Sequence, residues 1–81
     1  MALMRLNNLN AEILEFVVKP NSKVTGNVIR ELDFPKTATI GGVVREGKGI
    51  IALGGFEIKA GDRVVVCCLP ESIPKIERLF L

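Results

Sequence analysis

No histidine, tryptophan or tyrosine occurs in this chain, and cysteine occurs only as the adjacent pair Cys67-Cys68. Without histidine the chain lacks the usual general base, the commonest zinc ligand and the partner that activates a serine in a triad, so most hydrolytic schemes fall away. Neighbouring cysteines on an extended segment face opposite ways, which disfavours a disulfide between them, and two thiolates alone cannot close a structural zinc site. They read as two small hydrophobes in a reducing compartment. Aromatic side chains are limited to four phenylalanines, and the 11 basic and 9 acidic residues are spread along the chain. With neither a basic stripe nor stacking platforms, nucleic-acid binding is not expected.

Long apolar runs are also missing. The longest, Val64 to Pro70, is far short of a membrane span, and Met1 to Met4 is cut off by Arg5 before it could form the apolar part of a signal peptide. A cytoplasmic location with no direct membrane insertion is the expectation. The balance of 48% hydrophobic against 25% charged residues argues for a folded chain rather than disorder. At 81 residues it makes one small domain. Such a domain buries only about 60 to 65% of the surface its unfolded chain exposes, so it is marginal alone.

Periodicity supplies the elements. Ala11 to Lys19 alternates, with Leu14, Phe16 and Val18 on an apolar face and Ile13, Glu15 and Val17 on a mixed one, which predicts a strand. Pro20-Asn21-Ser22 ends it. Asn27 to Leu32 has helical spacing and predicts a short helix that stops before Asp33-Phe34-Pro35. Thr37 to Glu46 predicts a second strand, bent or closely approached at Gly41-Gly42. Glu46 to Gly49 turns the chain into a third strand, Ile50 to Leu53, and Phe56 to Ile58 is a brief extended piece. Gly61, in a left-handed conformation, and Asp62, capping with its carboxylate, lead into the last strand, Arg63 to Leu69. Ser72 to Leu81 predicts an amphipathic helix capped by Ser72, with Pro74 in its first turn.

The letters Gly47-x-Gly49-x-x-Ala52 match a dinucleotide fingerprint. That motif must open a helix, and Leu53-Gly54-Gly55-Phe56 cannot continue one, so a Rossmann site is rejected. The predicted fold is a small α/β or α+β domain. A sheet of four or five strands carries two helices in the order strand-helix-strand-strand-strand-helix, over residues 11–81, with 1–10 as an extension or linker.

The last strand poses the main question. Val64, Val66 and Cys68 point one way, Val65, Cys67 and Leu69 the other, and both sets are apolar. Two short helices cover one face. A second copy of the chain is the simplest cover for the other, which predicts a homodimer.

Several stretches taken together resemble one family: Glu12 to Val18, Val24-x-Gly26 with Ile29 to Leu32, Ala38-x-Ile-Gly-Gly-Val-Val-Arg45, Ala60-Gly-Asp-Arg-Val-Val-Val66, and Leu69-Pro-x-x-Ile73 with Ile76 to Phe80. They resemble the C-terminal domain of Trk-type potassium-uptake regulators, the second lobe of the regulator-of-potassium-conductance module, over about residues 11–80. No spacing places an acid beside a base, and the cysteines lie inside a strand rather than at a helix N-terminus, so no enzymatic role is expected. The resemblance implies a domain that dimerises, follows an N-terminal nucleotide-binding lobe and hangs at the cytoplasmic side of a membrane cation transporter, peripheral to the inner membrane. Nicotinamide or adenine-nucleotide binding belongs to that other lobe, so no cofactor is expected here. In several relatives this lobe holds a small ligand at the dimer interface, a cyclic dinucleotide in some. The candidate positions to line such a cleft are Arg30, Ile40, Gly41, Gly42 and Val43, with Arg30 the candidate to meet an anionic group. The segment offers no histidine and no aromatic side chain to stack on a base, so another ligand, or none, fits it equally. Two functions stay open: a ligand-sensing regulatory domain, and an assembly module with no ligand of its own.

Overall fold

The computed structural model describes residues 2–6 and 9–81, with side chains from residue 10 onward. Among these, five strands form one antiparallel sheet: β1 (Ala2–Leu6), β2 (Leu9–Val17), β3 (Ala38–Arg45), β4 (Lys48–Ile50) and β5 (Arg63–Cys68), in the order β1-β2-β5-β3-β4. One α-helix, α1 (Ile73–Phe80), closes the chain. The predicted fold class holds.

The strand whose two faces are both apolar is the central one. β5 pairs with β2 on one side (Leu14 opposite Val66, Ile13 opposite Cys67) and with β3 on the other (Ile40 opposite Val66, Thr39 opposite Cys67). A central strand touches neighbours on every side, which is where valine and a small buried thiol are favoured. On one face Val64, Val66 and Cys68 are buried with Leu14, Val18, Val43 and Ile58, under Ile76 and Phe80 of α1. Phe80 stacks on Phe16 with ring centroids 4.6 Å apart and meets Phe34 edge-on at 6.4 Å, an arrangement that adds to simple area burial.

The connections fill out the same face. Gly26 takes φ +79° and its amide bonds to the Ile58 carbonyl at 2.7 Å, while the Ile29 and Arg30 amides bond to the Phe56 and Gly54 carbonyls at 3.0 and 2.9 Å. The β2–β3 connection is thereby stitched to the β4–β5 connection, and Val24 is fully buried beneath it.

Four expectations need adjusting. The segment ahead of residue 11 contributes a strand: β1 pairs with β2 from Ala2 opposite Ile13 to Leu6 opposite Leu9, and β2 starts at Leu9. Met1, Asn7 and Asn8, within the expected extension, lie outside the described residues. The short helix is a single 3-10 turn, Ile29–Glu31, because Val28 and Leu32 on either side are held extended. The hairpin turn is only Glu46-Gly47, both at positive φ (52° and 77°), so β4 begins at Lys48 and ends before the Ile51–Leu53 stretch expected to be strand. Finally, Ser72 makes no side-chain cap to α1; its hydroxyl pairs with that of Thr37 instead. The expected bend at the paired glycines appears as a register shift between Ile40 and Gly42, and Gly61 is at φ +89° as expected.

Candidate functional site

The face of the sheet away from α1 is open. A two-residue side-chain period puts Ile13 and Glu15 of β2, Val65 and Cys67 of β5, and Thr39, Gly42 and Val44 of β3 on it. Ile13, Val65, Cys67 and Val44 are half-buried, and Val17 is 55% exposed. The bulge in β3 and the glycines Gly41, Gly42 and Gly49 lower the floor between these side chains and leave a groove of about 450 Å³, lined also by Ile50 and Ile51. Among the described residues, no charged side chain lines it. At its border Arg63 donates to Glu15 at 3.0 Å, an exposed ion pair.

Of the five candidate residues, Gly41, Gly42 and Val43 line this groove, Val43 from a strand position whose side chain is buried on the core side. Ile40 and Arg30 do not line it. Ile40 lies across the bulge and packs against the core. Arg30 is exposed on the 3-10 turn and rests on the Gly54-Gly55 turn, where a Cβ on Gly55 would come within 3.3 Å of its Nη1. Gly54 and Gly55 thus leave room for the guanidinium, which has no ion-pair partner among the described residues. Gly49 and Ile51 escaped sequence reasoning because they were assigned to a turn and to a regular strand. The signal that could have found them is the run Gly49-Ile50-Ile51, too apolar for a solvated edge.

A largely buried ion pair lies at the end of β3. Arg45 at the end of β3 donates Nε to Asp62 Oδ1 at 2.8 Å and Nη2 to Asp62 Oδ2 at 2.7 Å, and Nη2 also reaches the Glu57 carbonyl at 3.0 Å. Its guanidinium lies 4.7 Å from the centre of the Phe56 ring. Asp62 also accepts the Lys59 amide at 2.9 Å, so the expected turn cap is present with an arginine added to it. Arg45's hydrogen bonds, seconded by the Lys59 amide, hold the Asp62 carboxyl below its ordinary value against the opposing effect of burial.

The cysteines part as a strand requires. Cys68 is buried, and burial first, then the charge of Glu12 opposite it, pushes its thiol up. Cys67 faces the groove. Glu12 itself carries one buried carboxylate oxygen, Oε2, with no hydrogen-bond partner among the described residues.

The TrkA-C domain family matches residues 13–81. A Trk system potassium uptake protein TrkA homolog 2 of Methanosarcina mazei is 35% identical over 79 residues, 98% of this chain and 18% of that protein. The Trk system potassium uptake protein TrkA of Azorhizobium caulinodans is 35% identical over 69 residues, 85% of this chain and 15% of that protein. The chain therefore spans less than a fifth of the length of these curated relatives. A solved structure described as an RCK domain with cda superposes with a TM-score of 0.71 at 19% identity, over 83% of this chain and 96% of that one, a likeness of fold.

Proposed function

Because this chain belongs to the TrkA-C domain family, we propose that it is the cytoplasmic regulatory domain of a Trk-type potassium-uptake system, working as a homodimer whose arrangement answers to a small ligand. In this reading it follows a nucleotide-binding lobe and acts on a membrane cation transporter from the cytoplasmic side. The observation that carries the proposal is the open apolar groove on the sheet face opposite α1. A domain this small gains from covering such a face, and a face shared between two copies can change its spacing when something binds beside it.

The mechanism is a population shift. A ligand moves the transporter only by binding one arrangement of the pair better than another, and a coupling of roughly 1 to 3 kcal/mol is typical. A cyclic dinucleotide or another anionic small molecule is the class proposed. The exposed Arg30 guanidinium over Gly54-Gly55 is the contact for its anionic group.

One observation favours a second reading. Among the described residues, the groove is lined by apolar side chains, cysteine and glycine, with no convergent polar group to orient a ligand. On that reading the domain only holds two regulator chains together.

Potassium uptake tests the proposal. This chain is exchanged for the matching segment of the Azorhizobium caulinodans relative, in cells whose own copy is deleted. Growth at limiting potassium equal to that with the intact relative is expected, and growth no better than with the segment deleted contradicts it.

A further inference from the structure

The dimer reading leaves open how two copies of an apolar face would lock together, and two features of the groove bear on this. Ile51, on the rim, is 85% exposed, an unusual position for a β-branched aliphatic side chain beside a lined groove. Next to it the floor is glycine. Gly41, Gly42 and Gly49 are not at positive φ, so their backbone does not require glycine. Their missing side chains are not demanded by the interior either. A Cβ on Gly49 meets nothing within 4 Å, and Cβ atoms on Gly41 and Gly42 would come no closer than 3.7 and 3.6 Å to a neighbour, ordinary contact distances. The fold leaves that space open outward.

We propose that the hollow over Gly41, Gly42 and Gly49 receives Ile51 of a second copy of this chain, each copy giving one isoleucine and receiving one across a twofold axis. The inference rests on the homodimer reading and deepens it. A protruding isoleucine and a glycine hollow on the same face satisfy the condition for an isologous contact, in which residue i of one copy meets residue j of the other and the reverse. Charge points to a copy rather than to a charged partner. Among the described strand positions on this face only Glu15 and Arg63 are ionic, and they are already paired at 3.0 Å. The face thus has no net charge to set against its own image, although the chain as a whole carries +2. Across a twofold axis the pair can exchange partners without like charges meeting.

The test is sedimentation equilibrium on the whole chain and four variants: Ile51→Ser, Gly49→Val, the two combined, and Leu53→Ser. Circular dichroism first confirms that each variant folds. Ile51→Ser removes the knob, and Gly49→Val fills the hollow at a position where the fold has room and valine suits a strand. Each is expected to raise the dimer dissociation constant about tenfold or more. The double variant is expected to lose less than the product of the two, because the substitutions act on one contact. Leu53, 72% exposed but outside the groove, is expected to change the constant less than twofold when replaced. A wild-type dimer that tolerates both Ile51→Ser and Gly49→Val unchanged overturns the knob-and-hollow contact and leaves the dimer reading standing on another surface. A wild type that stays monomeric at about 100 µM overturns both.

Discussion

Arg45 and Asp62 are joined by two nearly equal hydrogen bonds, Nε to Oδ1 at 2.8 Å and Nη2 to Oδ2 at 2.7 Å, which tie the end of β3 to the residue just before β5. A planar guanidinium matched to a carboxylate in this way holds both geometry and charge. Asp62 is 2% exposed and also carries the Lys59 amide, so the pair fixes the β4–β5 connection over the core.

Replacing Asp62 by alanine leaves the Lys59 amide and the arginine without their acceptor. Hydrogen bonds to a charged group are worth roughly 1.5 to 3 kcal/mol, and the expected loss is about 2 kcal/mol. For a domain of this size that lowers the melting midpoint by about 10 °C. Urea unfolding that shows a loss below about 0.5 kcal/mol would mean the pair is ornamental.

The same carboxyl sets an acid limit. Its folded value lies below the ordinary 3.8, because Arg45 hydrogen-bonds the charged form. A group whose folded value is depressed contributes stability that is complete above the unfolded value and is lost as pH falls through the folded one. The stability gap between wild type and Asp62→Asn should therefore be constant from pH 7 to about 5 and shrink below about pH 4. Urea titrations across that range check it, and a gap that widens on acidification contradicts the sign.

Thiol labelling reads the two faces of β5. Cys68 is buried and its thiol is pushed up, whereas Cys67 opens on the groove. In dilute protein at pH 8 a maleimide should modify Cys67 about tenfold faster or more, since thiolate fraction and access both govern the rate. Peptide mass spectrometry after short exposure assigns the label. Equal rates would mean that the two faces are not distinguished as the fold requires.

Much of this was legible in the sequence. The two-residue alternation in Leu14-x-Phe16-x-Val18 marked the core face of β2, whereas Val64 to Leu69 was apolar on both faces and only the pairing with β2 shows that Val64, Val66 and Cys68 are the buried set. Spacing in Ile73, Ile76 and Phe80 marked α1. What escaped depended on partners distant in the chain. β1 is a strand because β2 offers it an edge to pair with. The Asn27–Leu32 spacing gives one 3-10 turn because Phe56 and Gly54 carbonyls take its amides. Of the candidate site, the paired glycines were visible as a break in a β-branched run, and they do line the groove. Arg30 and Ile40 were placed beside them by resemblance alone. The bulge turns Ile40 to the core, and the 3-10 turn carries Arg30 to Gly54-Gly55.

Ligand sensing has its own readout. Thermal unfolding of the chain is followed with cyclic di-adenosine monophosphate, other cyclic dinucleotides, ATP, ADP and nicotinamide dinucleotides. A ligand at a hundred times its dissociation constant stabilises by roughly 2.7 kcal/mol, a rise of about 10 °C or more here. A selective rise that Arg30→Ala diminishes is expected. No rise from any member favours the assembly module.

The central claim, that two copies of this domain close over the open sheet face, is tested most directly by small-angle X-ray scattering of the unmodified chain over a concentration series. One copy has a Cα radius of gyration of 12.1 Å. Compact proteins scale with chain length to the power of about 0.38, so a dimer should approach about 16 Å. A forward scattering that doubles per unit mass and a radius that grows by about a third as concentration rises are expected. A radius and mass that stay at the one-copy values throughout would contradict it.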